Sequence, residues 1–246
     1  MIDTSSKAIF VGNIKGGVGK SLLTAYLTDY LRHRFKSKSV MLVDTDPQGT
    51  AFEMLEPSSP HGSVRSLPVG DRYDGVNMST LDGVLRRLLS NNDTITMVDT
   101  GAGKVGNLWR IIALSQALIV PTSMSWADLR PTIEFIKDID ERKLDQGIST
   151  PHVIVVPNRV SPNQRDFSAI AEALTDVNAV LAPPISDLVV ARGKASTFNG
   201  LSDVQGTRFH DEISRLGAFI VDYVISGELD RIYGGGIIAS QRRIGR

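Results

Sequence analysis

Residues 15–21 have the sequence Lys15-Gly16-Gly17-Val18-Gly19-Lys20-Ser21, and this stretch decides the fold. It follows an apolar run at residues 8–11 and precedes an amphipathic run, an order that predicts a strand, a phosphate-binding loop and a helix. The glycines leave room for backbone N–H groups to point at a bound phosphate, and the helix adds the positive end of its dipole. In such a loop, Lys20 can reach the outer phosphates and the Ser21 hydroxyl can bind Mg²⁺.

The loop departs from the strict nucleotide-loop pattern at one position, where Ile14 replaces the first glycine. A second lysine, Lys15, begins the loop. The alternative interpretation of residues 16–21 is a glycine-rich turn that Ser21 caps without binding any ligand. The flanking strand and helix, together with the carboxylates described below, favour phosphate binding over that alternative.

Composition excludes several classes of protein. The 246 residues, 41% of them hydrophobic, suffice for one large α/β domain or two small ones. The chain has 27 Lys plus Arg and 27 Asp plus Glu, so its formal net charge is zero and any contact with nucleic acid must come from a local patch. The absence of cysteine excludes disulfides, thiolate zinc sites and thiolate-bound iron–sulfur clusters, and it fits a reducing cytoplasm. No apolar run reaches the length of a membrane-spanning helix, and residues 1–6 lack the pattern of a secretory signal.

Apolar runs alternate with helical patterns along the chain. Five continuous apolar runs predict strands that are covered on both faces, at residues 8–11, 40–43, 95–98, 117–120 and 153–156. Apolar stripes with helical spacing predict helices over residues 23–31, 81–89, 133–144 and 209–224, the second of them behind a Ser79–Thr80 cap. This alternation predicts an α/β fold with a doubly wound, mostly parallel sheet, helices on both faces and ligands at the carboxyl ends of the strands.

Three further stretches complete the predicted organisation. Residues 1–230 are expected to form a single domain, and residues 231–246 a basic and flexible C-terminal tail. The tail contains Gly234-Gly235-Gly236, which argues against a continuous helix. Residues 57–77, which are rich in proline and glycine, are interpreted as a surface excursion near the site.

Acidic residues follow two of the predicted strands. Asp44 and Asp46 lie two residues apart after the second strand, where they point to the same side of an extended segment. Beside a triphosphate, one carboxylate can hold Mg²⁺ through water and the other can orient or deprotonate an attacking water. Asp99 ends the third strand, the usual place for a magnesium-binding carboxylate in nucleotide-loop proteins. The alternatives are a solvated turn for the first pair and an ordinary strand-ending aspartate for Asp99.

Asn158 follows the fifth predicted strand. An amide side chain at a strand end can pair with both the donor and the acceptor of an adenine edge. The alternative interpretation is that Asn158 caps a turn without touching a ligand.

Four motifs together resemble the ParA/MinD family of deviant nucleotide-loop ATPases. They are residues 15–21, Asp44-Thr45-Asp46-Pro47-Gln48, Val98-Asp99 and Val156-Pro157-Asn158-Arg159, within a resemblance that extends over about residues 7–226. The run from Asp46 to Gln48 and the lack of a preceding DNA-reading domain are similar to the short ParA-type partition proteins rather than to MinD.

The resemblance implies a sandwich homodimer that depends on ATP and Mg²⁺ and hydrolyses ATP slowly unless a partner stimulates it. It implies that ATP contacts Lys15, Gly16, Gly17, Val18, Gly19, Lys20, Ser21, Leu22 and Asn158. Lys15 would reach the phosphates bound by the partner subunit, and Lys20 those of its own subunit. Ser21, Asp44 and Asp99 would hold Mg²⁺, and Asp46 would position the attacking water. The alternative for Lys15 is a solvated surface lysine.

The resemblance also implies nonspecific DNA and a centromere-binding adaptor protein as partners, and a nucleoid-associated place in the cytoplasm. Candidate DNA contacts are the basic residues Arg192, Lys194, Arg242 and Arg243, since scattered cations supply phosphate contacts that are independent of base sequence. For each of these residues taken alone, a solvated charge is the alternative.

Two other functions remain as alternatives. A MinD-like membrane-positioning ATPase would need a C-terminal amphipathic helix, for which Ile237, Ile238 and Ile244 among arginines are a weak candidate, so a membrane is not expected as a partner. A small-molecule synthetase on a related fold would need a substrate pocket that the sequence does not identify. Intact Lys15 and Asp46 argue against a further possibility, an adaptor that binds ATP without turnover.

Overall fold

Seven strands form one parallel sheet in the computed structural model, which describes residues 7–69, 75–91, 93–102, 109–187 and 198–226. The strands are β1 (Lys7–Val11), β2 (Ser39–Asp44), β3 (Val64–Ser66), β4 (Thr94–Asp99), β5 (Ala117–Thr122), β6 (His152–Pro157) and β7 (Ala179–Leu181). Their order across the sheet is β3-β2-β4-β1-β5-β6-β7, and every neighbouring pair runs parallel. The predicted doubly wound parallel sheet is therefore confirmed.

Helices cover both faces of the sheet. They are α1 (Lys20–Arg34), α2 (Thr50–Leu55), α3 (Gly75–Leu89), α4 (Trp109–Ile112), α5 (Trp126–Gln146), α6 (Ser168–Ala173) and α7 (Arg208–Ile220), which a π-helical turn, Val221–Ile225, continues. Short 3-10 turns lie at Glu56–Ser58 and Gly200–Val204. Helices α1, α2 and α7 pack on one face, and α3 to α6 pack on the other. Within the described ranges, no helix combines the length and the apolar character needed to cross a bilayer.

The central strand β1 shows why residues 8–11 form a continuous apolar run. Ile9 and Val11 lie in the core shared with α1 and α7, whereas Phe10 lies in the opposite core with Leu81 and Leu85 of α3. All five residues of β1 are buried, because helices exclude water from both faces of the strand. Each such apolar side chain contributes about 1.5–3 kcal/mol through its burial. The burial of both faces therefore fixes the position of β1 in the middle of the sheet.

The strand order brings several carboxyl ends together at one edge of the sheet. β1 pairs with β4 and β5, and β4 pairs with β2 on its other side. Asp44 and Val11 both lie in register with Asp99, one on each side of β4. The loop between β1 and α1, residues 12–19, is the phosphate loop, and it begins directly after Val11. This loop therefore meets Asp44 and Asp99 at the same edge of the sheet.

The five predicted strands and the four predicted helices are all present. The structure adds β3, β7, α2, α4 and α6, which have three to six residues each and are too short for a periodic signal. The predicted Ser79–Thr80 cap was wrong, because α3 begins at Gly75 and both residues lie inside the helix. The stretch 57–77 is only partly a surface excursion, since it contains β3 and the beginning of α3.

Two helical glycines make a matched pair for a test of packing. An added methyl group at Gly217 of α7 would overlap the ring of Tyr30 on α1, whereas one at Gly83 of α3 would meet no described atom within 4 Å. We expect Gly217→Ala to lower the free energy of unfolding by about 1–3 kcal/mol through overpacking. Gly83→Ala should raise it by about 1 kcal/mol, because alanine is the better helix former. Urea denaturation measures both changes, and a Gly217→Ala protein more stable than the parent would contradict this packing.

Candidate functional site

Two glycines give the phosphate loop its shape. Gly17 and Gly19 have φ angles of 73° and 86°, in the left-handed region that residues with a side chain rarely adopt. Gly19 also lies against Asn158, since a Cβ atom there would come within 2.5 Å of the Asn158 amide nitrogen. The 15-residue helix α1 begins at the next residue, so the loop ends at a helix N-terminus, where N–H groups are available to an anion. The arrangement predicted from sequence, a loop between a strand and a helix, is present.

Lys20 is buried at the mouth of this loop. Its Nζ donates a hydrogen bond to the carbonyl oxygen of Lys15 at 3.0 Å, and only 6% of the residue is exposed. Burial lowers the pKa of Lys20, while the negative charges of Asp99 and Asp46 act in the opposite direction. An ammonium group that has lost most of its water gains from a strong anion such as a phosphate.

Asp99 is a fully buried carboxylate between two hydroxyl groups of α1. Ser21 Oγ donates to Asp99 Oδ2 at 2.7 Å. Thr24 Oγ1 lies 2.8 Å from Asp99 Oδ1 and 2.9 Å from the carbonyl oxygen of Lys20. Burial and the charge of Asp44 raise the pKa of Asp99 to about 7, although its hydrogen bonds act in the opposite direction. A cation bound here would favour the ionised form of Asp99.

The Ser21 hydroxyl and the Asp99 carboxylate fit a bound Mg²⁺, because both supply the oxygen ligands that this ion prefers. Within the described ranges, no group of three or more His, Cys, Asp and Glu side chains is arranged to hold a metal ion. Mg²⁺ usually keeps several waters and takes further ligands from substrate phosphates. The two side chains therefore suit a metal ion that arrives together with a nucleotide.

Asp44 shapes the turn after β2. It is fully buried, and its two oxygens accept hydrogen bonds from the backbone N–H groups of Asp46 at 2.9 Å and Phe52 at 2.8 Å. Burial raises the pKa of Asp44 despite these hydrogen bonds. The role of Asp44 in metal binding stays a prediction.

Asp46 lies half-buried beside the loop that follows β4. Its Oδ1 accepts a hydrogen bond from the N–H group of Gln48 at 2.9 Å, and its Cγ lies 3.4 Å from the place that a Cβ on Gly101 would occupy. Its negative charge acts on Lys20. A carboxylate in this place can orient a water molecule near the outer phosphate of a nucleotide.

The side chain of Lys15 contacts α5 of its own chain. Its Nζ lies 3.3 Å from Asp128 Oδ1, and the two side chains are 36% and 27% exposed. The pKa of Asp128 is lowered chiefly by a hydrogen bond from Ser123, with a smaller effect of Lys15. Lys15 therefore has a partner within its own chain, and its contact with the phosphates of a partner subunit stays a prediction.

Asn13 ties the start of the loop to the same helix. Its Oδ1 accepts a hydrogen bond from the backbone N–H of Lys15 at 3.1 Å. Its Nδ2 donates to the carbonyl oxygen of Pro121 at 2.8 Å and to Thr132 Oγ1 at 3.0 Å. The sequence analysis missed both Asn13 and Asp128, because only the fold brings β1 beside the N-terminal turns of α5.

Asn158 and Arg159 contact the outer side of the phosphate loop. Asn158 is buried and its Nδ2 donates to the carbonyl oxygen of Val18 at 2.7 Å. The Arg159 guanidinium donates to the carbonyl oxygen of Gly17 at 2.6 Å. The structure thus brings Asn158 to the loop, and its pairing with adenine stays a prediction. Arg159 was noticed only as part of a motif and was not predicted as a site residue.

The remaining predicted residues lie at the rim of the site or outside the described ranges. Leu22 is half-buried in the first turn of α1. The candidate DNA contacts Arg192, Lys194, Arg242 and Arg243, and the tail at residues 231–246, lie outside the described residues. They stay predictions.

Comparison with known proteins places this geometry in a family. A family model described as the CobQ/CobB/MinD/ParA nucleotide binding domain matches residues 9–196. The comparison with curated protein sequences found no match.

Several solved structures share the fold. MinD from Pyrococcus horikoshii, complexed with Mg-ADP, has a TM-score of 0.63 at 18% identity, and the match covers 96% of this chain and 100% of that one. A McdA variant from Cyanothece in complex with ATP has a TM-score of 0.63 at 15% identity, with 88% and 95% covered. A ParA family ATPase from Chlorobium tepidum has a TM-score of 0.62 at 14% identity, with 87% and 98% covered. The family model spans most of the sheet together with the phosphate loop, and the chain belongs to the CobQ/CobB/MinD/ParA family of nucleotide-binding proteins.

Proposed function

We propose that this chain is an ATPase that dimerises when it binds Mg-ATP and uses the dimer to segregate or position a DNA cargo. The observation that carries the proposal is that two lysines of one loop differ in their burial and in their contacts. Lys20 is buried at the mouth of the loop, whereas Lys15 extends to Asp128 on α5. A buried lysine and a partly exposed one suit two different phosphates, one bound by the same subunit and one bound by a partner.

The loop and its neighbours would bind and hydrolyse the nucleotide as follows. Backbone N–H groups at the start of α1 and the Lys20 ammonium bind the phosphates. Ser21 and Asp99 would hold Mg²⁺, which would neutralise charge on the phosphate oxygens. Asp46 orients the attacking water in line with the outer phosphate. Hydrolysis by such positioning alone is slow, which leaves room for stimulation by a partner protein.

Dimerisation would follow from the electrostatics of Lys15. An ion pair between side chains that are about one third exposed is worth about 0–1 kcal/mol, so Asp128 holds Lys15 only weakly. A triphosphate on a second subunit carries more negative charge than one carboxylate and binds an ammonium group more strongly. Lys15 would exchange Asp128 for that triphosphate, which makes the dimer depend on ATP.

DNA is the proposed cargo because the run Asp46-Pro47-Gln48 is similar to partition proteins of the ParA type. Nonspecific DNA contacts through Arg192, Lys194, Arg242 and Arg243, and a centromere-binding adaptor, belong to the same proposal. The family also contains MinD proteins, so membrane positioning is the outcome that the experiment must separate from DNA binding.

The first experiment is sizing by light scattering with ADP and then with ATP and Mg²⁺, each with and without nonspecific duplex DNA. We expect a monomer with ADP, and a dimer that binds DNA only with ATP. DNA binding should weaken steeply as salt rises, because it rests on phosphate contacts. A monomer that ignores both ATP and DNA would overturn the proposal. Pelleting with anionic liposomes in place of DNA binding would favour the membrane alternative.

Substitution of the ion pair tests the proposed exchange of partners. We expect Lys15→Ala to bind ATP as the parent does but to stay monomeric. Asp128→Asn releases Lys15 and should lower the ATP concentration for half-maximal dimerisation by up to about fivefold, the equivalent of one weak ion pair.

Asp138→Asn is the matched control, because Asp138 lies on the same helix in an exposed pair with Arg142 at 3.0 Å. This variant should dimerise as the parent does. A Lys15→Ala protein that still dimerises with ATP would show that Lys15 has another role.

The raised pKa of Asp99 predicts a pH dependence of nucleotide binding. With a pKa raised to about 7, Asp99 is mostly protonated at lower pH and must lose its proton to bind Mg²⁺. The affinity for Mg-ADP should therefore rise with pH, by up to about tenfold per unit, and level off above a pH of about 7. Calorimetry measures how the affinity for Mg-ADP changes with pH. The same titrations with EDTA in place of Mg²⁺ measure the contribution of the nucleotide's own ionisation, which is then subtracted. Equal slopes with and without Mg²⁺ would contradict the assignment of Asp99 as a metal ligand.

A further inference from the structure

Two consecutive residues after β6 hold two consecutive carbonyl groups of the phosphate loop. Asn158 donates to the carbonyl oxygen of Val18 at 2.7 Å, and Arg159 donates to that of Gly17 at 2.6 Å. β6 is not a neighbour of β1, because β5 lies between them. These two hydrogen bonds therefore reach past an intervening strand to the backbone of the loop.

The backbone of Arg159 is strained in a way that serves this contact. Its φ angle is 57°, and in the described part of the chain it is the one residue other than glycine with a positive φ. A side chain in the left-handed region costs free energy, and such strain persists only where the surroundings impose it. The hydrogen bond from Arg159 to the loop stabilises the folded protein and can offset the free-energy cost of this backbone conformation.

The segment beside Arg159 is fixed by a buried carboxylate that the nucleotide chemistry does not use. Glu212 of α7 is 3% exposed and accepts hydrogen bonds from the N–H of Ser186 at 2.8 Å and its hydroxyl at 2.7 Å. A third hydrogen bond comes from Arg208 at 2.7 Å. The next residue, Asp187, places its carboxylate 3.9 Å from Arg159 Nε. Arg159 is therefore supported on one side by Asp187 and donates to the loop on the other.

We propose that Arg159 is a positioning residue that keeps the phosphate loop in its anion-binding shape by holding the carbonyl oxygen of Gly17. Donors that hold loop carbonyls outward leave the following N–H groups directed inward, where a phosphate binds. Arg159 acts in this way on the phosphate-binding half of the site and not on the base. The proposal rests on the proposed nucleotide binding, but its effect on the loop exists without nucleotide.

The first arm of the test uses the nucleotide-free protein. Hydrogen exchange of the peptide that contains residues 16–20 should be faster in Arg159→Ala than in the parent, because the loop has lost a donor. Arg165→Ala is the matched control, since Arg165 lies in the same connection and, among the described residues, donates to the nearby carbonyl groups of Pro162 and Gln164. Unchanged loop exchange in Arg159→Ala would overturn the proposal, whether or not the protein binds ATP.

The second arm measures the affinity for ADP. A hydrogen bond from a charged donor predicts a loss of about tenfold in Arg159→Ala, partial recovery in Arg159→Lys and no loss in Arg165→Ala. Arg159→Gly relaxes the strained backbone. It should therefore lose affinity for ADP as Arg159→Ala does, but it should unfold at a higher urea concentration than Arg159→Ala. That combination separates loop positioning from a general loss of stability. Parent-like ADP affinity in both Arg159→Ala and Arg159→Gly would contradict the proposal. A parent protein that binds no ADP would overturn the proposed function, and hydrogen exchange in the nucleotide-free protein would still test the role of Arg159 in positioning the loop.

Discussion

A carboxylate without any exposed surface stands at the end of β4, and the arrangement of the site follows from the need to compensate its charge. Asp99 accepts hydrogen bonds from Ser21 and Thr24 of α1, and its backbone oxygen accepts one from the Thr45 hydroxyl at 2.7 Å. These contacts join the first helix and the second strand to the centre of the sheet. They do not fully compensate burial, since the pKa of Asp99 remains raised to about 7. A carboxylate in this condition gains more from a cation than an exposed one does.

The two lysines of the loop differ in burial, and the difference sets what each can do. Lys20 has little contact with water, and its ammonium group is placed where a phosphate would replace the lost hydration. Lys15 keeps about a third of its surface in solvent and holds a partner that is itself partly exposed. The energy of such a pair is small and screened by salt, so Lys15 can leave it at little cost. Burial thus separates a firmly held lysine from a weakly held one within a single loop.

Sequence patterns predicted the fold where burial imposes a pattern on consecutive residues. β1 is buried at all five positions and apolar at four of them, residues 8–11, because both of its faces are covered, and this made the sheet predictable. The edge strand β3 buries only Val64 and carries no such signal. The Ser79–Thr80 cap was wrong because a favourable capping pair can also lie inside a helix that begins earlier.

Residues of the site could be predicted from sequence where a single local motif contains them. They could not be predicted where their place in the site depends on contacts between distant parts of the chain. Lys20, Ser21 and Asp99 follow from strand ends and a glycine-rich loop. Asp128 and Arg159 do not, because each meets the loop across more than 100 residues of sequence. A helical aspartate and a loop arginine are ordinary in sequence, and only the sheet order gives them a partner.

The phosphate loop is held by side chains that bind its backbone. Neutral and charged donors from Asn158 and Arg159 bind its carbonyl groups, and Asn13 binds its start through a fully buried amide. Among the described residues, the hydrogen bond of the Lys20 ammonium group goes to a backbone carbonyl, that of Lys15. A ligand that arrives there meets donors that are already oriented, so little of its binding free energy is needed to order the backbone. The ion pair between Lys15 and Asp128 is partly exposed and weak, so the Lys15 side chain can change its partner at little cost.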